Sequence, residues 1–114
     1  MNRFELFCMI FYALDAIWDE TQDEELGNYL SSANPFMFED IGSAVPEVFD
    51  TFCGYVDSDV KLEDSHSVAK NYVKSLNNES VSKAFDQIDK DAWDEGVAEY
   101  MASDHKGKQQ RVLS

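Results

Sequence analysis

The sequence predicts an all-α protein, a compact single-domain bundle of five or six short helices with a largely buried N-terminal helix. Three observations carry this. Apolar residues recur at helical spacing throughout, and no stretch alternates apolar and polar residues over the length of a strand. A chain of 114 residues suits one domain. An apolar fraction of 44% with 13% aromatics supplies a core that a disordered acidic polymer would lack.

The first segment starts at Asn2 or Arg3 and is apolar at Phe4, Leu6, Phe7, Met9, Ile10, Phe11, Ala13, Leu14, Ile17 and Trp18. Positions 6, 10, 13, 14 and 17 share one face, and 4, 7, 11 and 18 share the face beside it. A helix apolar over most of its circumference is enclosed by others, so this one is expected at the centre. Thr21-Gln22-Asp23-Glu24 matches a capping box and predicts the start of a second helix. Its stripe is Leu26, Tyr29, Leu30 and Ala33; Gly27 weakens it by about 1 kcal/mol relative to Ala, and Asn34-Pro35 ends it. The stretch from Pro35 to Ser43 is irregular.

Pro46 suits the first position of a third helix, where its missing N–H costs nothing, followed by the stripe Val48, Phe49, Phe52, Cys53 and Val56. After the polar turn Asp57-Ser58-Asp59, Asp64 or Ser65 can cap a fourth helix with Val68, Ala69, Tyr72, Val73 and Leu76 on its inner face. Asn77-Asn78 breaks that helix, and either can cap the next. Beyond it, Val81, Ala84, Phe85 and Ile88 lead into Ala92, Trp93, Val97, Tyr100 and Met101. This spacing admits one long helix over residues 79–102, or two with a restart at Asp89 or Asp91. The helical domain is expected over residues 1–104, with 105–114 a basic, flexible tail.

Charge is the second strong signal. Twenty-three acidic residues face nine basic ones, a formal net charge of −14. Residues 1–64 carry 15 acidic and 2 basic side chains; residues 65–114 carry 8 and 7, so nearly all the excess lies in the first half. It concentrates at Asp15, Asp19, Glu20, Asp23, Glu24 and Glu25. Such a chain repels phosphate, which argues against direct nucleic-acid binding. The nine-residue apolar run Leu6–Leu14 is far short of the ~20 residues of a membrane-spanning helix. As a signal peptide it would have Glu5 against Arg3, and acidic residues where a small-residue cleavage site belongs. Cys8 and Cys53 sit among apolar neighbours and read as buried thiols, so a cytoplasmic location is expected.

Catalytic and metal motifs fail on inspection. Glu63-x-x-His66 has the spacing of a di-iron ligand pair, but the other histidine, His105, lacks the matching glutamate three residues earlier. The acidic run from Asp89 misses calcium-loop positions in every register. Cys53 and His66 would need an exposed thiolate and a third group to act as a nucleophilic pair. No cofactor is expected.

The acidic cluster reads in two ways: a solvated surface that keeps the protein soluble, or a docking face for a basic protein. Phe36 and Phe38, in the irregular stretch, either plug the bundle or stand as aromatic anchors beside the acidic rim. The leading functional expectation is a small protein-binding module, with a stoichiometric, immunity- or antitoxin-like inhibitor of a basic protein its most concrete form. Its candidate contact residues are Asp15, Asp19, Glu20, Asp23, Glu24, Glu25, Phe36 and Phe38. The alternatives are a homo-oligomeric (for instance dimeric) structural or regulatory protein and an enzyme with a carboxylate-based site. No membrane partner is expected.

Overall fold

The computed structural model describes residues 3–33, 46–57 and 59–102. Within them the chain forms helices α1 (Arg3–Thr21), α2 (Glu24–Ala33), α3 (Pro46–Tyr55), α4 (Ser65–Ser75), α5 (Glu79–Asp86) and α6 (Lys90–Ala102), with a 3-10 turn at Leu62–Asp64 ahead of α4. The all-α bundle read from the sequence is the observed fold. The expected tail, residues 105–114, lies outside the described residues.

α1 is the axis of the bundle. From Phe4 to Ile10 every side chain but Glu5 is buried, and the helix touches each of the other five. Its outer turns differ: Asp15, Ala16, Asp19, Glu20 and Thr21 are exposed. On one flank the rings of Phe4, Phe49, Phe7, Phe52 and Tyr72 meet mostly edge to face, 4.8–5.7 Å between successive centroids, and tie α1 to α3 and α4. Each such pair adds roughly 0.5–1.5 kcal/mol beyond simple burial.

The α1–α2 joint departs from the expected capping box. Thr21 is still helical and its hydroxyl bonds back to the Ile17 carbonyl at 3.0 Å. Gln22 then takes a left-handed conformation (φ 54°), and its N–H closes on the Trp18 carbonyl at 2.6 Å. The cap of α2 is Asp23, whose Oδ1 accepts the Leu26 N–H at 3.1 Å. An Asp carboxylate serves this position as well as a Thr hydroxyl does, and the left-handed residue before it fixes where α1 stops. Asn77, also left-handed (φ 54°), ends the turn after α4, and the Asn78 side chain caps α5 through the Val81 N–H at 3.3 Å.

Residues 79–102 form two helices. The Asp89 carboxylate accepts the Ala92 N–H at 2.8 Å, so the Ile88 carbonyl is not needed there and takes the His66 Nε2–H of α4 instead, at 3.1 Å. The His66 ring lies nearly parallel to Phe85 and beside Trp93, which closes the α4–α5–α6 corner. Deeper in, the fully buried Trp93 indole donates to Ser65 Oγ at 2.8 Å, and Ser65 donates to the Leu62 carbonyl at 2.7 Å. One hydroxyl thus serves both the buried indole and the Leu62 carbonyl.

Gly27 and Gly96 are places of close approach. A Cβ on Gly27 would stand 2.7 Å from the indole nitrogen of Trp18; one on Gly96 would stand 2.8 Å from the terminal methyl of Met9. The glycine that costs α2 helix propensity therefore lets α1 lay Trp18 against it.

The interior can be probed by mutation and by pH. Ser65→Ala leaves the Trp93 N–H buried without an acceptor, so urea denaturation should show a loss of about 1–3 kcal/mol, with the Trp93 fluorescence environment altered. The pH experiment rests on buried thiol and phenol groups. Burial raises the Cys8 thiol well above its ordinary 9.0 and pushes Tyr12 up to about 12 from 10.0. Tyr29 and Tyr72, whose hydroxyls meet at 3.2 Å, are raised by burial too. All are neutral in the fold, and the unfolded chain releases these protons first. Stability should therefore hold up to about pH 9 and fall from there toward pH 12. A flat urea midpoint over that window would contradict this account.

Candidate docking surface

The six carboxylates singled out in the sequence come from one joint. Asp15, Asp19 and Glu20 occupy the last two turns of α1, Asp23 caps α2, and Glu24 and Glu25 fill its first turn; all six are exposed. At 100° per residue, Asp15 and Asp19 share one side of α1 and Glu20 stands a quarter turn round. Phe36 and Phe38 lie outside the described residues.

The helix dipole divides the six. Asp23, Glu24 and Glu25 sit at the positive end of α2, where acidic groups are favoured. Asp15, Asp19 and Glu20 sit near the negative end of α1, which has no basic residue in its last turn. Asp15 and Asp19 also repel each other one turn apart, by a few tenths of a kcal/mol. No local helix energetics accounts for these three.

The described lysines and arginine do not neutralise the joint. Among the described residues the lysine ion pairs are Glu79–Lys83 at 3.2 Å and Lys90–Asp94 at 2.9 Å, and none of the six carboxylates joins a lysine or arginine. Glu25 accepts a hydrogen bond from Ser80 of α5 at 3.1 Å. A cleft of about 420 Å³ between α2 and α5 brings Asp23, Glu25 and Glu79 to one place, with Lys83 on its wall. All three are engaged within the fold: Asp23 caps α2, Glu25 holds Ser80, and Glu79 pairs with Lys83.

A second feature was missed in the sequence. Between α1 and α6 runs an apolar groove of about 480 Å³, with Ala13, Ala16 and Ile17 on one wall and Ala92, Trp93 and Gly96 on the other. The signal was there to be read: small residues at helical spacing on two helices leave a furrow when the helices face each other. Tyr12 and Tyr100, ring centroids 5.8 Å apart, also line it, together with Met9 and Ile88.

The remaining motifs resolve into structural roles. His66 turns inward onto the Ile88 carbonyl while Glu63 stays exposed in the 3-10 turn, so the two diverge. Among the described residues no three His, Cys, Asp or Glu side chains stand together as a metal site. Cys8 and Cys53 are free thiols. Cys53 is half-buried, and burial raises its thiol above the ordinary value, outweighing the nearby Arg3 charge that lowers it. No helix among the described residues is long and apolar enough to cross a membrane. Comparison with protein-family models, with curated proteins and with solved structures found no match.

Proposed function

We propose that this chain is a protein-binding module that docks a basic protein through the acidic joint of α1 and α2, acting in the cytoplasm as a stoichiometric, immunity- or antitoxin-like inhibitor. One observation carries the reading. Among the described residues Asp15, Asp19 and Glu20 stay exposed and join no ion pair, although Asp19 and Glu20 stand at the negative end of the α1 dipole and Asp15 repels Asp19. Residues held against local energetics, on a surface the core does not use, point to selection for contact with something outside the chain.

A negative field of this kind steers a cationic partner into encounter and weakens with salt, since the Debye length is only ~8 Å at physiological ionic strength. It also orients the partner, because like charges elsewhere on that protein are turned away. The homo-oligomer reading would use the aromatics of α1 and of residues 36–38; of these, Phe4 and Phe7 pack against α3 within the chain, while Phe11, Tyr12 and Trp18 are partly buried.

The test replaces Asp19→Asn, Glu20→Gln, Asp23→Asn and Glu24→Gln together. Asn is as good an N-cap as Asp, so circular dichroism should show helicity retained. Immobilised wild-type chain should hold a basic protein from host extract at low salt and release it at high salt, and the fourfold variant should hold far less. Equal retention by both would remove the proposal. Sedimentation of the purified chain should show a monomer; a concentration-dependent dimer would favour the oligomer instead.

A further inference from the structure

We infer that the α1–α6 groove is the seat of an amphipathic cationic helix belonging to the partner, a step that rests on reading the chain as a docking module for a basic protein. The groove and the acidic joint are one continuous surface. On α1, Ala16 and Glu20 are one turn apart on the same face, so the wall of the groove runs directly into the acidic cluster. Asp19 lies along the outer edge of that wall, two turns beyond Tyr12.

The α6 wall carries carboxylates too. Glu99 lines the groove, and Glu95 precedes it by one turn on the exposed side of α6. Lys90, the cation of this helix, is paired with Asp94 on the side away from the groove. Among the described residues no lysine or arginine lines the groove. The apolar floor thus meets carboxylates beyond the end of its α1 wall and along its α6 wall.

That arrangement selects its occupant. The α6 lining from Ala92 to Tyr100 spans about 12 Å of helix rise, which matches some two turns of a partner helix. Apolar side chains at i, i+3, i+4 and i+7 would fill the floor, and Lys or Arg on the flanks would meet these carboxylates. A second copy of this chain would bring its own carboxylates against these, and an anionic membrane surface would be repelled likewise.

The probe is an 18-residue peptide of Leu and Lys, its leucines at i, i+3, i+4 and i+7, labelled for fluorescence anisotropy. A scrambled peptide of the same composition is the control for charge alone. The patterned peptide should bind the full chain at least tenfold tighter than the scrambled one. Ala92→Trp and, separately, Ala16→Trp fill the groove from opposite walls at exposed positions, and each should abolish that tenfold preference. Two substitutions keep the test informative should one of them disturb folding, which circular dichroism would reveal.

Equal affinity for both peptides, or a preference untouched by the groove-filling variants, overturns the groove as a helix seat. If both peptides then still bind in a salt-sensitive manner, the acidic joint survives as a docking face without it. A patterned-peptide preference that ignores both salt and Asp19→Asn with Glu20→Gln overturns instead the charge-based reading on which the inference rests. A wild-type dimer that Ala92→Trp dissociates assigns the groove to a second copy and likewise overturns it.

Discussion

The structure depends on one constraint: the first half of α1 is apolar on nearly every side and must be enclosed. Helices with a single apolar stripe can lie on a surface, but a helix like this one has no face to give to water. Every other helix therefore finds its place by touching α1. The enclosure stops where the sequence changes. From Asp15 onward the helix carries charge on its outer side, and only Ile17 and Trp18 still reach toward the bundle. The same helix that organises the core thus turns an acidic outer side to solvent over its last two turns, and the acidic joint is what that side presents.

A second constraint decides how the C-terminal helices close the bundle. Trp93 is large and wholly buried, and its indole N–H must be satisfied inside. Ser65, at the start of α4, supplies the acceptor while its own proton goes to the Leu62 carbonyl. His66, the next residue, secures the carbonyl freed where α5 ends. Two adjacent residues of α4 therefore hold both sides of the α5–α6 break. With that break fixed, α6 lies against α1, where Gly96 admits the Met9 methyl and the small residues on either side leave the groove.

Much of this was legible in the residues. The stripes Leu26–Leu30–Ala33, Phe49–Phe52–Val56 and Ala69–Tyr72–Val73 are buried as their spacing predicted, because periodicity reports which face a helix hides. Helix ends were harder. Thr21 and Asp23 are both good caps two residues apart, and the choice turned on Gln22 entering a left-handed conformation that its residue type does not advertise. The break after Asp86 was open for the same reason: Ile88 continues the apolar face of α5, and only the Asp89 carboxylate taking the Ala92 N–H tips the balance. In the sequence His66 offered only incomplete metal-ligand and nucleophile spacings; its inward turn depends on a carbonyl 22 positions away, which no local pattern reveals. The groove belongs to the same class, since Ala13 and Ala16 become a wall only when Ala92 and Gly96 stand opposite.

In the proposed docking role the acidic joint and the groove would divide the work of recognition along physical lines. Exposed carboxylates act over a Debye length and set how fast a cationic partner arrives and which way it faces, but each contact they make in water is weak. Apolar burial acts only at contact, and it governs how long the partner stays. Neither suffices alone: charge without a recess gives loose, salt-sensitive association, and a shallow apolar furrow without charge has no way to prefer one amphipathic helix over another. Ala16 and Glu20, one turn apart on α1, are where the two meet. Because the buried half of that helix fixes its position rigidly, recess and charge are held in one geometry before any partner arrives, so little ordering cost is left to binding itself.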